Sequence, residues 1–329
     1  MKKLLIGILF GIVCAIVLNV IYSCFFHPEI RYFKRAVAIS ARYEQELRQK
    51  GYPCIILAGG SETRSSIIPS ILMQEFNLPA VNMATAAPFG LSVNAAIAMN
   101  HLQPGDTLIL SLLSAENICP VTSGIKLVTQ LYGFKAFTTG GIPITLKHIC
   151  APLTSDAASA IVSLTRKLTR GYAYVYDKTS IMHSDGWQEI TRICMQNEPL
   201  SNVITNDLKL TDDCTNLLAF INENCKKNNV HFCVMLPAGF QNEYETKRRL
   251  MHALQVTRMG IPVLRDERLG READNKLFAD MSLHMNATGA ARNTRILGDL
   301  ILHKKYWNEQ EILNLLQTNG FAESYTPQN

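Results

Sequence analysis

Three side chains in two distant segments are of the types needed to activate a serine nucleophile. Ser61 follows the apolar run 54–58 and two glycines, and Asp280 and His284 lie close together near the other end of the chain. A serine hydroxyl is a weak nucleophile until a neutral imidazole accepts its proton. The imidazole in turn needs a carboxylate that fixes its tautomer and stabilises its cation. The sequence therefore predicts Ser61 as the nucleophile, His284 as the general base and Asp280 as the carboxylate that orients His284.

Each of these residues also has a simpler structural interpretation. Two glycines before Ser61 are typical of a tight exit from a strand. Thr63 stands where the nucleophile elbow of α/β-hydrolases has a glycine, which disfavours that fold. His284 could be a buried or helix-capping residue beside Asn286, and Asp280 could be an unrelated turn residue. The catalytic interpretation depends on the three residue types occurring together.

Short apolar runs alternate with helical patterns along most of the chain. Continuous apolar strands are expected where both faces of a sheet are covered. The alternation predicts an α/β fold, a three-layer α/β/α sandwich with a parallel sheet. The predicted strands are 55–58, 80–83, 107–113, 230–236 and 261–264, and the predicted helices are 33–50, 67–76, 91–101, 211–228, 243–259 and 286–302.

Polar segments follow three of the predicted strands. Ser61 comes after the first strand, residues 82–87 end the second and residues 114–117 follow the third, while His284 precedes the last predicted helix of the core. Ligands of parallel sheets bind beyond the carboxyl ends of the strands. We therefore expect these segments to meet at one edge of the sheet.

The N-terminal segment predicts a membrane anchor. Residues 4–26 are apolar, with Asn19 as the one strongly polar side chain. A helix of this length spans the hydrocarbon core of a bilayer, and it is longer than the apolar part of a cleaved signal peptide. We expect one uncleaved transmembrane helix in residues 1–28, followed by a juxtamembrane helix or stalk at 29–50. Basic residues stand on both sides of the segment and do not decide its orientation.

The rest of the chain is expected to form one domain over residues 51–320. Residues 118–200 interrupt the alternation of strands and helices and are rich in proline and glycine, so they are predicted to be an insertion. Residues 321–329 are predicted to be a disordered tail.

Composition and motifs argue against several classes of protein. The net charge of +5 comes from short, scattered clusters without interleaved aromatic residues, which argues against nucleic-acid binding. The nine cysteines include no C-x-x-C pair, so neither a zinc site nor a full disulfide framework is indicated. Dinucleotide, P-loop and H-E-x-x-H motifs do not occur. No metal and no cofactor are predicted.

The pattern resembles the SGNH (GDSL-type) hydrolase superfamily over about residues 51–303. Within it, the chain is similar to the membrane-anchored, extracytoplasmic branch that includes the D-alanine-transfer protein of teichoic-acid operons and the alginate acetylation proteins. The most specific match is the last block, Asp followed by His-Leu-Asn-x-x-Gly. The matching residues are Gly59-Gly60-Ser61 for the nucleophile turn, 82–87 for the block Asn-Leu-Gly-x-Ser-Gly, 104–106 for a Pro-Gly-Asp turn, and Asp280, His284, Asn286 and Gly289 for the last block.

The chain departs from this pattern at three points. Alanines at 84 and 87 replace the glycines of the second block. Asn117 comes one position later than the asparagine of the third block, and the spacing from Asp280 to His284 is four positions instead of the commoner three. These departures keep open a second interpretation, in which an SGNH-like scaffold without catalytic activity binds a glycan or an assembly partner.

The resemblance implies serine-dependent acyl transfer or ester hydrolysis on a cell-surface polysaccharide or other envelope glycan, with O-acetyl as the expected acyl group. It implies a single-pass protein of the cell membrane with its C-terminal domain outside the cytoplasm. A multi-pass membrane O-acyltransferase would be its partner. The backbone N–H groups of Ser61 and Ala84, with the side chain of Asn117, are expected to bind the oxyanion.

Three further residues are expected to contact the substrate: Arg64, Asn82 and Asn286. For Arg64 a second interpretation is equally open, because the guanidinium could instead pair with Glu62.

Overall fold

The computed structural model of the protein describes residues 2–25, 27–112, 122–133, 178–192, 208–240 and 243–321. The strands are β1 (Ile55–Ala58), β2 (Ala80–Asn82), β3 (Thr107–Ser111), β4 (Ser180–Met182), β5 (Gln188–Ile190), β6 (His231–Met235), β7 (Gly239–Phe240) and β8 (Arg271–Glu272). The helices are α1 (Lys2–Phe25), α2 (Pro28–Gln49), α3 (Ser61–Ser66), α4 (Pro69–Phe76), α5 (Leu91–Met99), α6 (Thr122–Tyr132), α7 (Asp212–Lys227), α8 (Glu243–Arg258), α9 (Ala287–Leu302) and α10 (Glu309–Thr318), and 3-10 turns lie at Ala87–Phe89 and Asn275–Leu277.

A parallel sheet flanked by helices lies at the centre of the protein, as the alternation of apolar runs and helical patterns predicts. Its strands pair in the order β2-β1-β3-β6. All three pairings are parallel, so the carboxyl ends of the four strands share one edge. The predicted strand 261–264 is reduced to a parallel bridge between Val263 and Val234 of β6, which places it beside that strand.

Alternate residues of the strands face two different apolar clusters. Ile56 and Ala58 of β1 belong to the larger cluster, which also contains buried side chains of α2, α5, α7 and α8. Ile55 and Leu57 face a smaller cluster completed by α4 and α9. Because successive side chains of a strand point to opposite faces, burial of all four residues requires cover on both sides of the sheet.

The prediction of a stalk at 29–50 is wrong, because α2 is part of the core. Ile30, Phe33 and Val37 on one face of α2 are almost completely buried in the larger cluster. Ser40 in the same helix donates a hydrogen bond of 2.6 Å to the backbone oxygen of Asn82 at the end of β2. The average composition of the helix is polar and does not indicate a buried face, because its apolar residues recur at helical spacing on one side only.

The predicted transmembrane helix receives no support from the structure. The segment forms one continuous helix, α1, whose large apolar side chains between Leu4 and Ile21 are largely exposed. Among the residues that the structure describes, none of the helices is long and apolar enough to cross a membrane.

Two parts of the predicted insertion 118–200 lie within the described residues. Helix α6 packs against α2 and α5, and the antiparallel hairpin β4–β5 packs against α3. The remainder of the insertion, and the predicted tail after Phe321, lie outside the described residues. The sequence patterns predict neither α3 nor α10, and α10 packs against α8 beyond the last predicted helix.

Candidate active site

The turn that places Ser61 connects β1 to α3, at the carboxyl edge of the sheet. Two glycines form this turn because it is tightly enclosed. A Cβ on Gly59 would lie 2.9 Å from the Cβ of Ser111 in β3, and a Cβ on Gly60 would lie 2.8 Å from the backbone nitrogen of Ala87. The glycines are therefore required for space, and Ser61 becomes the first residue of α3 with a partly buried side chain.

Asp280 and His284 lie at the two ends of one tight turn. The backbone N–H of Ala279 donates to the oxygen of His284 at 2.8 Å, and the N–H of His284 donates to the oxygen of Met281 at 3.1 Å. These bonds fold the segment back on itself. The four-position spacing, which departs from the commoner pattern, therefore still brings the carboxylate to the imidazole.

The three predicted side chains form one hydrogen-bonded chain. His284 Nε2 lies 2.9 Å from Ser61 Oγ, and His284 Nδ1 lies 2.8 Å from Asp280 Oδ1. The predicted proximity of these atoms is confirmed. The imidazole is almost fully buried, with 1% of its side chain exposed, whereas 20% of the Asp280 side chain is exposed.

This geometry suits proton transfer from the serine hydroxyl. A proton on Nδ1, donated to Asp280, leaves the lone pair of Nε2 facing Ser61 Oγ. In that tautomer the hydroxyl donates to the imidazole, and removal of its proton produces an alkoxide at the edge of the sheet. The arrangement has the contacts of a nucleophile, a general base and an orienting carboxylate.

The predicted oxyanion donor Ala84 is in the wrong place for that role. Its N–H already donates to the side chain of Asn82 at 3.2 Å, and the residue is fully buried. The N–H of Ala87 is better placed, because its nitrogen lies 2.8 Å from the point that a Cβ of Gly60 would occupy. The resemblance contained this signal, since Ala87 stands at the second glycine of the matched block.

Ser61 and Asn117 were the other predicted oxyanion residues. As the first residue of α3, Ser61 has an N–H group without an intrahelical acceptor, which is the position of an oxyanion donor at a helix N-terminus. Asn117 lies outside the described residues.

The guanidinium of Arg64 is buried and does not face solvent, where a substrate would bind, and it does not pair with Glu62. Its side chain is fully buried, and burial lowers the pKa of the guanidinium to about 10. Its guanidinium donates to the backbone oxygens of Ala84, of Gly186 at 3.0 Å and of Asn82 at 3.4 Å, and to the sulfur of Met182 at 3.4 Å. Both interpretations of Arg64 are therefore wrong, and the residue fastens α3 to the neighbouring segments.

Asn82 and Asn286, predicted to bind substrate, support the backbone instead. The amide of Asn82 is fully buried and donates to the backbone oxygens of Thr63 and Ile67. Asn286 is the N-cap of α9, where its side-chain oxygen accepts from the N–H of Gly289 at 3.0 Å. Asn286 therefore caps the last predicted helix of the core. Each asparagine holds one of the two segments that position the triad.

The hairpin β4–β5 is a part of the site region that the sequence patterns do not reveal. Trp187 donates through Nε1 to the oxygen of Ser65 at 2.9 Å, and Asp185 accepts from the N–H of Ser70 at 3.0 Å. Trp187 also packs in an apolar cluster with Met285, the neighbour of His284. The hairpin therefore contacts the supports of both halves of the triad, and its sequence contains no motif that indicates this.

Within the described part of the chain, no three His, Cys, Asp or Glu side chains lie close enough together to bind a metal ion. In comparisons with known proteins, no family model, no curated protein and no solved structure matches this chain.

Proposed function

We propose that the protein is a serine-dependent acyl transferase or esterase. The observation on which the proposal rests is the continuous hydrogen-bonded chain from Asp280 through His284 to Ser61. Ser61 lies on one braced segment and the Asp280–His284 pair on another, and the chain of contacts ends on Ser61, which is partly exposed. A buried imidazole between a carboxylate and a serine is the arrangement that activates a hydroxyl for attack on an ester.

In the proposed reaction Ser61 Oγ forms a bond to the ester carbonyl carbon while its proton passes to His284 Nε2. The carbonyl oxygen becomes an oxyanion, which the N–H groups of Ser61 and Ala87 bind, each such donor contributing about 3 kcal/mol. Cleavage of the ester bond then releases an alkoxide, which takes the proton from His284 and leaves an acyl-enzyme.

The second half of the reaction reverses these roles. An acceptor hydroxyl gives its proton to His284 and attacks the acyl carbon, and Ser61 Oγ leaves and recovers the proton. Water as acceptor gives hydrolysis, and a sugar hydroxyl gives acyl transfer. Asp280 stabilises the imidazolium in both halves.

The resemblance to SGNH hydrolases supports the finer parts of the proposal. It favours a three-layer, flavodoxin-like sandwich, an O-acyl substrate such as an acetylated envelope glycan, and a multi-pass O-acyltransferase as partner. A location outside the cytoplasmic membrane also follows from the resemblance. A C-terminal alkaline phosphatase fusion should then be active, and a C-terminal fluorescent-protein fusion should be dark. The opposite pair of results would contradict the proposal that the substrate is an envelope glycan.

A non-catalytic scaffold that binds a glycan is the second candidate function. The observation in its favour is the methyl group of Ala87, which lies 2.8 Å from the point that a Cβ of Gly60 would occupy and takes up space beside the turn. A scaffold of this kind would keep the fold but would not form an acyl-enzyme.

Covalent labelling with a fluorophosphonate probe separates the two functions. We expect the wild-type protein to be labelled and Ser61→Ala and His284→Ala to lose labelling by about 10⁴-fold or more. Ser66→Ala, in the same helix, is the matched control and should be labelled like the wild type. Hydrolysis of p-nitrophenyl acetate should follow the same order. An unlabelled wild-type protein that hydrolyses no ester would favour the scaffold.

A further inference from the structure

Glu62, the residue after the proposed nucleophile, has a completely buried carboxyl group that the proposed reaction does not use. One of its oxygens, Oε1, accepts three hydrogen bonds. The donors are the N–H of Gly60 at 3.0 Å, the hydroxyl of Thr63 at 2.9 Å and the hydroxyl of Ser111 at 3.1 Å. Glu62 therefore ties the turn before Ser61 to the end of β3.

The second oxygen, Oε2, is buried and has no hydrogen-bond partner among the described residues. It lies on the same side of the turn as the N–H of Ala87, since both Oε2 and the nitrogen of Ala87 lie within 3 Å of the point that a Cβ of Gly60 would occupy. A buried carboxylate with one unpaired oxygen is costly, because ionised groups lose their hydration on burial. Burial accordingly raises the pKa of Glu62 above its ordinary value.

Among the residues that the structure describes, the charged groups on the elements around Glu62 are directed elsewhere. Arg64 of α3 binds backbone oxygens on the side of the hairpin, and the parts of β3 and of the nucleophile turn that touch Glu62 are uncharged. The charged side chains of α9 and β5 have other partners: Arg292 pairs with Glu272, Arg295 with Glu75, and Glu189 with His183.

The protonation state of Glu62 matters for the chemistry of its neighbour. Negative charge develops on the acyl oxygen beside the N–H groups of Ser61 and Ala87, and a carboxylate oxygen on the same side of the turn as the N–H of Ala87 would repel that charge. A neutral acid avoids the repulsion, and its carbonyl oxygen still accepts the three hydrogen bonds.

We infer that Glu62 is a positioning residue that holds the nucleophile turn as a neutral carboxylic acid. The inference of a catalytic consequence rests on the proposed function, whereas the ordering of the turn does not. A glutamine reproduces both features of the neutral acid, an accepting Oε1 and an uncharged second atom. A methionine fills the same volume but accepts none of the three hydrogen bonds.

Two readouts on Glu62→Gln and Glu62→Met test the inference. The first is hydrogen exchange of the amides of residues 59–63. We expect the turn in Glu62→Met to exchange at least about 10-fold faster than in the wild type while β1 and β3 stay protected, and the turn in Glu62→Gln to stay protected. Glu44→Ala, which removes a buried carboxylate of α2 at the opposite edge of the sheet, is the control and should leave the turn unchanged.

The second readout is the rate of esterase turnover. Glu62→Met should lower kcat by about 100-fold with little change in KM, because misplacement of the nucleophile affects the transition state more than binding. Glu62→Gln should recover kcat. Wild-type exchange in Glu62→Met, or equal loss of kcat in both variants, would overturn the inference. A wild-type protein without esterase activity would refute the proposed function, and the exchange rates would still decide the role of Glu62.

Discussion

His284 is held on both sides of its imidazole ring, by Asp280 at Nδ1 and by Ser61 at Nε2. Since the ring is almost completely buried, water does not compete for either nitrogen. The carboxylate at Nδ1 therefore favours the tautomer of His284 with its proton on Nδ1. In that tautomer Nε2 can accept the proton of Ser61. At the residue scale, the carboxylate decides whether the base faces the hydroxyl with a lone pair or with a proton.

Asp280→Asn should slow fluorophosphonate labelling by about 10³- to 10⁴-fold, because an amide that donates to Nδ1 favours the tautomer with its proton on Nε2. The fold should remain intact, since the substitution preserves size. Asp274→Asn is the control, because Asp274 is exposed and caps the neighbouring 3-10 turn. Labelling of Asp280→Asn at the wild-type rate would show that the carboxylate does not orient the base.

Glu62 gives a second residue-scale prediction, on the pH dependence of stability. Burial raises the pKa of the Glu62 carboxyl in the folded state, so the unfolded chain loses this proton at a lower pH than the folded protein. The free energy of unfolding should therefore fall by up to about 1.4 kcal/mol per pH unit, from the ordinary carboxyl range up to the folded pKa. Glu62→Gln should not show this decline.

Urea unfolding of the two proteins between pH 4 and pH 8 measures this difference. The stability of Glu62→Gln relative to the wild type should increase with pH. Two curves that stay parallel over this range would show that Glu62 ionises equally easily in the folded and unfolded states.

At the element scale, the site depends on how α3 is fastened to its neighbours. Arg64 and Trp187 join α3 to the hairpin β4–β5 through backbone oxygens, Arg64 to Gly186 and Trp187 to Ser65. A buried guanidinium without a carboxylate partner is tolerated here because several carbonyl oxygens replace its water. The hairpin is therefore a structural support of α3, the helix that begins at Ser61.

Trp187→Phe should lower the free energy of unfolding by about 1–3 kcal/mol, because it keeps an aromatic ring but leaves the buried oxygen of Ser65 without a donor. Labelling of Ser61 should weaken with it if the hairpin supports the site. Ile181→Thr on the same hairpin is the control, since the Ile181 side chain is 51% exposed and its loss should have little effect. Thermal unfolding and the labelling rate of both variants, measured side by side, provide the test. Equal behaviour of the two variants would show that the hairpin bond is dispensable.

At the scale of the whole molecule, α2 joins the core through both apolar and charged contacts. Arg48 near its end pairs with Asp106 at 2.7 Å and with Glu44 at 2.7 Å, and Glu44 also contacts His101. The Asp106 side chain is almost completely buried and also accepts from the N–H of Cys54, the residue before β1. These bonds fix the C-terminal end of α2 at the amino edge of the sheet, opposite the edge where Ser61 and His284 lie.

The fragment 51–329 should therefore fail to fold, whereas the fragment 27–329 should unfold cooperatively. Removal of α2 exposes the larger apolar cluster and leaves the buried carboxylate of Asp106 without Arg48, a loss of the order of 3–5 kcal/mol for the ion pair alone. Circular dichroism during urea unfolding distinguishes the two fragments. A cooperative transition for 51–329 would mean that α2 is an appendage, as the polar composition of residues 29–50 predicts.

The parallel α/β core and the three candidate catalytic residues can be predicted from the amino-acid sequence alone. Apolar runs and helix caps are local signals, and the carboxyl ends of parallel strands must share an edge, so Ser61 and His284 could be expected to meet. Asp280 lies in the same turn as His284, where four positions of sequence keep the two close. These inferences need only local pattern and the rules of sheet topology.

Which polar groups near these three residues already have hydrogen-bond partners is visible only in the folded protein. The N–H of Ala84 donates to the side chain of Asn82, and the guanidinium of Arg64 donates to carbonyl oxygens. The N–H that lies beside the turn before Ser61 is that of Ala87. The packing of α2 and of the hairpin against the core likewise depends on contacts between residues that are distant in sequence. The physical reason is that burial and hydrogen-bond satisfaction depend on partners far away in the sequence, so residue type alone does not separate a ligand-binding polar group from one that supports the backbone.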